Sequence, residues 1–266
     1  MVPTTRLGVL GWPVAHSRSP AMQNAALAAV GLESWRYQLL PIPPQRLAET
    51  VVALPGAGFR GANVTIPHKR SALALADVAT AGARAIGAAN TLVFQPDGAV
   101  HADNTDSPAL LAALPFPLPG RTALVLGAGG IARAAVWTLL DAGASEVRVW
   151  NRTPARAEEL CAEIGGRPVR ELGPADLLVH CTSSGLDGIA SAFKQLPLEA
   201  ETIDRYECVV DLVYSDSGTE LVRAARERSL EVVDGLELLV GQGALSFEQF
   251  TGHPAPVGVM ERAVRK

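Results

Sequence analysis

Cysteine is scarce in this chain of 266 residues: Cys161, Cys181 and Cys208 are the whole set, and no two form a C-x-x-C pair. An odd, widely spaced trio builds no disulfide framework and fits a reducing compartment, so three buried apolar thiols are expected. An excess of charge of one sign is also lacking, since 23 Lys and Arg face 27 Asp and Glu, a net charge of −4. Such a balance gives no footprint for nucleic acid or an anionic membrane, so an anionic ligand would have to be captured by a few placed groups. Nothing approaches the roughly 20 apolar residues that cross a bilayer. The run Leu7–Leu10 is too short for a secretory core and leads into a Gly-Trp-Pro turn. Internal repeats and low-complexity tracts are missing too. A cytoplasmic protein with no nucleic-acid or membrane partner is expected.

What is present is a core-forming composition, 48% hydrophobic and 19% charged, arranged as short apolar runs alternating with Ala/Leu-rich helical stretches. Strands are predicted at Arg6–Leu10, Trp35–Leu40 and Gly61–Ile66, with a hairpin, Leu92–Phe94 and Ala99–Ala102, around Pro96-Asp97-Gly98. Helices are predicted from Ser19-Pro20 to Gly31, over Gln45–Leu54, from Pro67 onward and over Pro108–Leu114. A stiff segment, Pro115-Phe116-Pro117-Leu118-Pro119-Gly120, suits a connector. Beyond it strands at 122–126, 146–150, 177–181 and 208–212 alternate with helices at 131–142 and 154–164. This alternation predicts right-handed βαβ units and a parallel sheet. The fold expected is α/β: an N-terminal α/β unit followed by a doubly wound, Rossmann-type nucleotide-binding domain.

Gly127-Ala128-Gly129-Gly130-Ile131-Ala132 matches G-x-G-x-x-G/A between a strand and a helix. The first glycine permits the tight turn, the second lets a pyrophosphate approach the backbone, and the small third residue lets helix pack on strand. A glycine run alone marks any tight turn; the flanking strand and helix select dinucleotide binding. At the end of the next strand, where an NAD enzyme of this fold places Asp or Glu, the chain has Asn151-Arg152-Thr153, with Arg156 nearby. A guanidinium suits a ribose 2′-phosphate, so NADP is expected. Thr153 and Pro154 are equally explained as a plain helix start.

In the first half, His16-Ser17-Arg18-Ser19-Pro20 puts two hydroxyls at a helix start, a small anion site suited to a carboxylate. Ser19 alone reads as an N-cap, and Ser17 is the unexplained addition. Asn63-Val64-Thr65-Ile66-Pro67-His68-Lys69 puts a cation in the first turn of a helix, where the dipole disfavours it and would lower its pKa. Strand carboxyl ends are where α/β proteins bind ligands, so Lys69 is a candidate proton-transfer group. Asp106, in Asn104-Thr105-Asp106, is either a dipole-stabilised terminal acid or the partner of Lys69.

In this order the motifs resemble the shikimate dehydrogenase family over nearly the whole chain. The remaining matches are Gly87-Ala88-Ala89-Asn90-Thr91, Asp211-Leu212-Val213-Tyr214 and Gly235 through Gln242. The resemblance implies reversible reduction of 3-dehydroshikimate to shikimate by NADPH, in aromatic amino acid biosynthesis. It implies Ser17 and Ser19 on the substrate carboxylate, and Thr65, Asn90, Tyr214 and Gln242 on the ring hydroxyls. Lys69 and Asp106 would be the catalytic pair, with Lys69 as acid/base. Gly127, Ala128, Gly129, Gly130, Ile131, Asn151, Arg152, Thr153 and Arg156 would bind NADP, with Leu212, Gly235 and Leu238 at the nicotinamide. It also implies a substrate domain at 1–106, an NADP domain at 107–237, C-terminal helices at 238–266 returning to the substrate domain, and a cleft between the domains. A monomer or homodimer is expected, without metal.

Three places depart from the family's usual pattern. Glu237 and Leu238 replace Gly and Met, His180 replaces an Asn in His180-Cys181-Thr182-Ser183, and Ser215-Asp216 stands where a proline is usual. A quinate or aminoshikimate dehydrogenase, and a non-catalytic NADP(H)-binding sensor, are the alternatives these leave.

Overall fold

The computed structural model describes residues 4–182, 192–215 and 218–265. It divides the chain into two compact units, one of Met1–Asp106 with Leu239–Lys266 and the other of Ser107–Leu238.

In the first unit the elements run β1 (Thr5–Gly11), α1 (Ser19–Ala29), β2 (Trp35–Pro41), α2 (Leu47–Ala53), β3 (Phe59–Val64), α3 (Lys69–Ala74), β4 (Val78–Ala79), α4 (Ala81–Ile86), β5 (Thr91–Phe94) and β6 (Val100–Asp103). They form one sheet ordered β2-β1-β3-β5-β6-β4. The first three strands are parallel and β5 and β6 make the predicted antiparallel hairpin. Leu10, Ala62, Val64, Leu92 and Ala102 join Leu47 and Val51 of α2 in one apolar cluster. Gly61 lies so close to the Phe250 ring that a Cβ there would collide with it.

The second unit follows with α5 (Asp106–Ala113), β7 (Thr122–Leu126), α6 (Gly130–Asp141), β8 (Glu146–Trp150), α7 (Pro154–Ile164), β9 (Arg167–Val169), β10 (Leu177–His180), α8 (Ala192–Gln195), β11 (Cys208–Asp211), α9 (Glu220–Glu227) and β12 (Glu231–Val233). α10 (Gly235–Thr251) and α11 (Val257–Val264) end the chain. The second sheet is parallel throughout, ordered β12-β11-β10-β7-β8-β9. Residues of β7 alternate between two cores. Ala123 and Val125 pack with α6 and α7, while Leu124 and Leu126 pack with Leu221 and Ala225 of α9. A strand buried on both faces reads as an unbroken apolar run, as Thr122–Leu126 does. The doubly wound sheet expected from the βαβ alternation is thus observed.

Several helix starts differ from the sequence expectation. Ser19 is the first residue of α1, not its cap: Arg18 holds the cap position, and no side chain caps the helix. The Ile66–Pro67 peptide is cis, β3 ends at Val64, and α3 begins at Lys69 after His68. The stretch expected as one helix over Gln45–Leu54 is a 3-10 turn at Pro44–Arg46 followed by α2. α10 starts at Gly235, where Asp234 Oδ1 accepts the backbone N–H groups of Leu236 and Glu237 at 3.1 and 3.0 Å.

Candidate active site

α3 and α5 begin with opposite charges. Lys69 is the first residue of one and Asp106 of the other. Lys69 Nζ donates to Asp106 Oδ2 at 2.7 Å, with their side chains only 10% and 9% exposed. A buried ion pair is retained only when further hydrogen bonds satisfy the charges. Here Asn90 Nδ2 donates to Asp106 Oδ1 at 2.9 Å. The Asp106 backbone N–H donates to Asn104 Oδ1 at 3.1 Å, and Asn104 is itself anchored on the Ala88 carbonyl.

The other expected substrate residues of this unit lie on three segments, Ser17 and Ser19 sharing one. Thr65 is half-buried just after β3, its N–H donating to the Leu10 carbonyl at 2.8 Å. Gly11 has no Cβ because one would strike the Thr65 methyl. Gln242, on α10, donates to the Leu239 carbonyl at 2.7 Å, and its Oε1 stands 3.5 Å from Asn90 Nδ2. Ser17 Oγ accepts the backbone N–H of Ser19 at 3.3 Å and keeps its own proton to donate. Ser19 stands beside Tyr37, a fully buried phenol whose pKa is pushed well above the ordinary value by desolvation, an effect that the nearby Ser19 hydroxyl partly opposes.

Tyr37, Asn63, Thr91 and Thr105 complete this buried polar group, and sequence reading did not single them out. Tyr37 donates to Asn63 Oδ1 at 2.8 Å, and Asn63 Nδ2 donates to Thr91 Oγ1 at 3.2 Å. The signal was a row of polar residues, Asn90, Thr91, Asn104 and Thr105, in segments otherwise buried.

In the second unit the glycine turn follows β7. Gly127 has φ 120°, and a Cβ on it would meet the Cys181 carbonyl at 3.0 Å. Its N–H donates to the Trp150 carbonyl at 2.7 Å, tying the turn to the end of β8. Gly129 is the N-cap of α6, and no side chain caps that helix. The missing Cβ atoms and the uncapped N–H groups form a cradle that fits a pyrophosphate. β7 and β10 are neighbours whose connections wind to opposite sides, and this switch point is where doubly wound sheets bind ligands.

Arg152 and Arg156 are exposed, and neither enters an ion pair with a described residue, whereas Arg121, Arg133, Arg148, Arg167, Arg170 and Arg226 all do. Asn151 Nδ2 donates to the Thr153 carbonyl at 2.8 Å. Thr153 sits at the cap position of α7, yet its hydroxyl makes no capping bond, so the plain helix-start reading leaves it unexplained. Two unpaired guanidiniums and a free hydroxyl fit the 2′-phosphate of NADP.

Three further candidates fall near the end of this unit's sheet. Leu212 N–H donates to the His180 carbonyl at 3.1 Å. Gly235 abuts the Val213 carbonyl, leaving no room for a Cβ. Leu238 is buried, its side chain part of the core cluster around α6. Tyr214 is half-buried.

Glu237 is exposed within the first turn of α10, where an acid suits the dipole, so it disturbs no turn. His180 is wholly buried, Nδ1 2.8 Å from Asp211 Oδ1 and Nε2 2.6 Å from Thr182 Oγ1, tying the ends of β10 and β11. Ser183 and Asp216 lie outside the described residues. Among the described residues no His, Cys, Asp and Glu group could hold a metal, and no helix is long and apolar enough to cross a membrane.

The chain matches three family models. The substrate-binding domain of shikimate dehydrogenase matches residues 9–92, the shikimate/quinate 5-dehydrogenase model residues 111–204, and the C-terminal domain of shikimate 5′-dehydrogenase residues 235–265. A shikimate dehydrogenase (NADP+) of Paracoccus denitrificans is 45% identical over 258 residues, 92% of this chain and 90% of the relative. One from Thermus thermophilus is 46% identical over 271 residues, 98% of each. The crystal structure of a Thermus thermophilus shikimate 5-dehydrogenase in complex with NADP(H) and shikimate superposes with TM-score 0.85, at 44% identity and 98% coverage of both chains. The Aquifex aeolicus shikimate dehydrogenase gives TM-score 0.86 at 33% identity, covering 99% of this chain and 98% of that one.

Proposed function

The chain belongs to the shikimate dehydrogenase family, and from that premise we propose that it reversibly reduces 3-dehydroshikimate to shikimate with NADPH, a step of aromatic amino acid biosynthesis. The observation that carries the mechanism is the buried contact of Lys69 with Asp106. NADPH, when bound, supplies the hydride. Lys69 gives its proton to the substrate oxygen at C3 during reduction, and takes it back during shikimate oxidation. Asp106 fixes the Lys69 Nζ through Oδ2, while Asn90 fixes Asp106 through Oδ1. Ser17 and Ser19 hold the ring carboxylate, a task that suits donors beside a helix start. Thr65, Asn90, Gln242 and Tyr214 meet the ring hydroxyls.

Gly127–Ile131 would hold the pyrophosphate of the cofactor, and Asn151, Arg152, Thr153 and Arg156 its 2′-phosphate. Leu212, Gly235 and Leu238 would line the nicotinamide. A quinate or aminoshikimate enzyme and a non-catalytic sensor are not favoured, and a sensor has no use for an acid/base pair. We also infer a cytoplasmic enzyme that is a monomer or homodimer, which light scattering on a sizing column checks.

The test is a panel of shikimate, quinate and aminoshikimate with NADP+ and NAD+, read by the absorbance of reduced nicotinamide. Shikimate with NADP+ should give the highest kcat/KM. No turnover of shikimate at any pH would overturn the proposal.

A further inference from the structure

The side chains behind Lys69 and Asp106 form a relay whose direction is forced. A carboxylate only accepts, so Asn90 turns its amide nitrogen to Asp106 Oδ1 at 2.9 Å and its Oδ1 the other way. There Asn90 Oδ1 accepts the Thr105 backbone N–H at 2.8 Å, the Thr91 hydroxyl at 3.1 Å and the Thr105 hydroxyl at 3.2 Å. Having given its one proton, Thr91 Oγ1 accepts from Asn63 Nδ2 at 3.2 Å. The same Asn63 nitrogen reaches the Asn90 backbone carbonyl at 3.2 Å, which fixes which way round the Asn63 amide lies. Asn63 Oδ1 therefore faces Tyr37 and accepts its proton at 2.8 Å. From Tyr37 to Asp106 each of these donors points the same way. Thr91 is 0% exposed, Thr105 1%, Asn90 2%, Tyr37 3% and Asn63 6%, so no solvent competes for these bonds.

We propose that Thr91 is a positioning residue for the acid/base pair, backed by Asn63 and Tyr37. Wholly buried, it touches neither substrate nor cofactor. Its hydroxyl holds Asn90 Oδ1, and so keeps the Asn90 amide on Asp106 Oδ1 and leaves Oδ2 to Lys69. Without that hydroxyl the Asn90 side chain keeps the Thr105 N–H and hydroxyl, so the fold survives, while the amide loses its tie to β3 through Asn63 and its aim loosens. The inference rests on the reading of Lys69 and Asp106 as the acid/base pair.

The test compares Thr91→Val, which deletes the hydroxyl at nearly constant volume, with Thr91→Ser, which keeps it and loses the methyl. Thr91→Val should lower kcat about threefold to tenfold, the size of one net hydrogen bond, with KM for shikimate and for NADP+ within about twofold. Thr91→Ser should stay within about twofold of the unmodified enzyme in kcat. Equal losses in both variants would assign the effect to packing and overturn the proposal, as would an unchanged kcat in Thr91→Val. Should Thr91→Val not fold, Tyr37→Phe, which breaks the relay two links further back, is read in its place: a lowered kcat supports the relay and an unchanged one overturns it. An unmodified enzyme without turnover removes the acid/base reading itself, before any variant is compared.

Discussion

Lys69 and Asp106 are separated by 37 positions in sequence, yet Nζ and Oδ2 lie 2.7 Å apart, each on the first residue of its helix. The dipole of α5 favours its acid and that of α3 disfavours its base, so Lys69 depends on Asp106 more than Asp106 depends on Lys69. Replacing Lys69 by Ala should lower kcat by about 10²–10⁴, the usual contribution of a positioned proton-transfer group. Single-turnover rates with saturating shikimate and NADP+ measure it, and a wild-type rate would take Lys69 out of that role.

The hydroxyl pair makes a different prediction. Ser17→Ala and Ser19→Ala each delete one donor to a carboxylate, an interaction worth roughly 1.5–3 kcal/mol when one partner is charged. KM for shikimate should rise about tenfold to a hundredfold in each, with kcat falling far less. If quinate and shikimate lose affinity alike, the carboxylate that both carry is the group these residues hold.

For the cofactor, the discriminating residue is Arg152. Arg152→Ala should weaken NADP+ about tenfold to a hundredfold while leaving NAD+ nearly unchanged, because only NADP+ carries the 2′-phosphate. Isothermal titration with both dinucleotides reads the ratio directly. Equal losses for the two would move the 2′-phosphate elsewhere.

Stability should depend on Asp176, which lies between β9 and β10. Its carboxylate accepts the Thr122 backbone N–H at 2.6 Å and the Thr122 hydroxyl at 2.8 Å, and pairs with Arg121 at 3.1 Å. The Thr122 bonds, backbone first, and then Arg121 hold its pKa below the ordinary 3.8. A depressed folded pKa contributes stability that is fully present above the unfolded value and is lost as pH falls through the folded one. Asp176→Asn should therefore lower Tm at neutral pH, and the difference from the unmodified chain should shrink below about pH 4. A gap that stays constant down to about pH 2 would show that the charge of Asp176 contributes nothing.

Much of this was legible along the chain because it is local. The β7 run, the glycine turn and the arginine after β8 follow one another closely in sequence, and each carries its own pattern of periodicity or motif. Lys69 was legible because a cation is out of place at a helix start. Asp106 was not separable from an ordinary helix-terminal acid until its partner came within reach. The relay was invisible for the same reason: Tyr37, Asn63, Thr91 and Asn90 come from β2, β3 and the start of β5, and only strand pairing brings them together. Ser19 followed by Pro reads as a cap, whereas it is the first residue of α1 and its N–H is taken by Ser17. The start of α10 at Gly235 is written in Asp234-Gly235-Leu236-Glu237, which has the spacing of a capping box, but a glycine at a first helical position masks it.

The division of the chain also sets an order of events during synthesis. The Ser107–Leu238 unit is one continuous stretch, complete once its last residue has left the ribosome. The other unit is made of the segments on either side of it, and Phe247 and Phe250, among its largest fully buried side chains, are translated after it. Domains usually fold in the order in which they emerge. Here the later-starting unit can finish first, while the nascent β1–β3 sheet waits with Gly61 uncovered until Phe250 arrives. The first unit's nascent apolar surface is thus the part that a chaperone would have to shield longest.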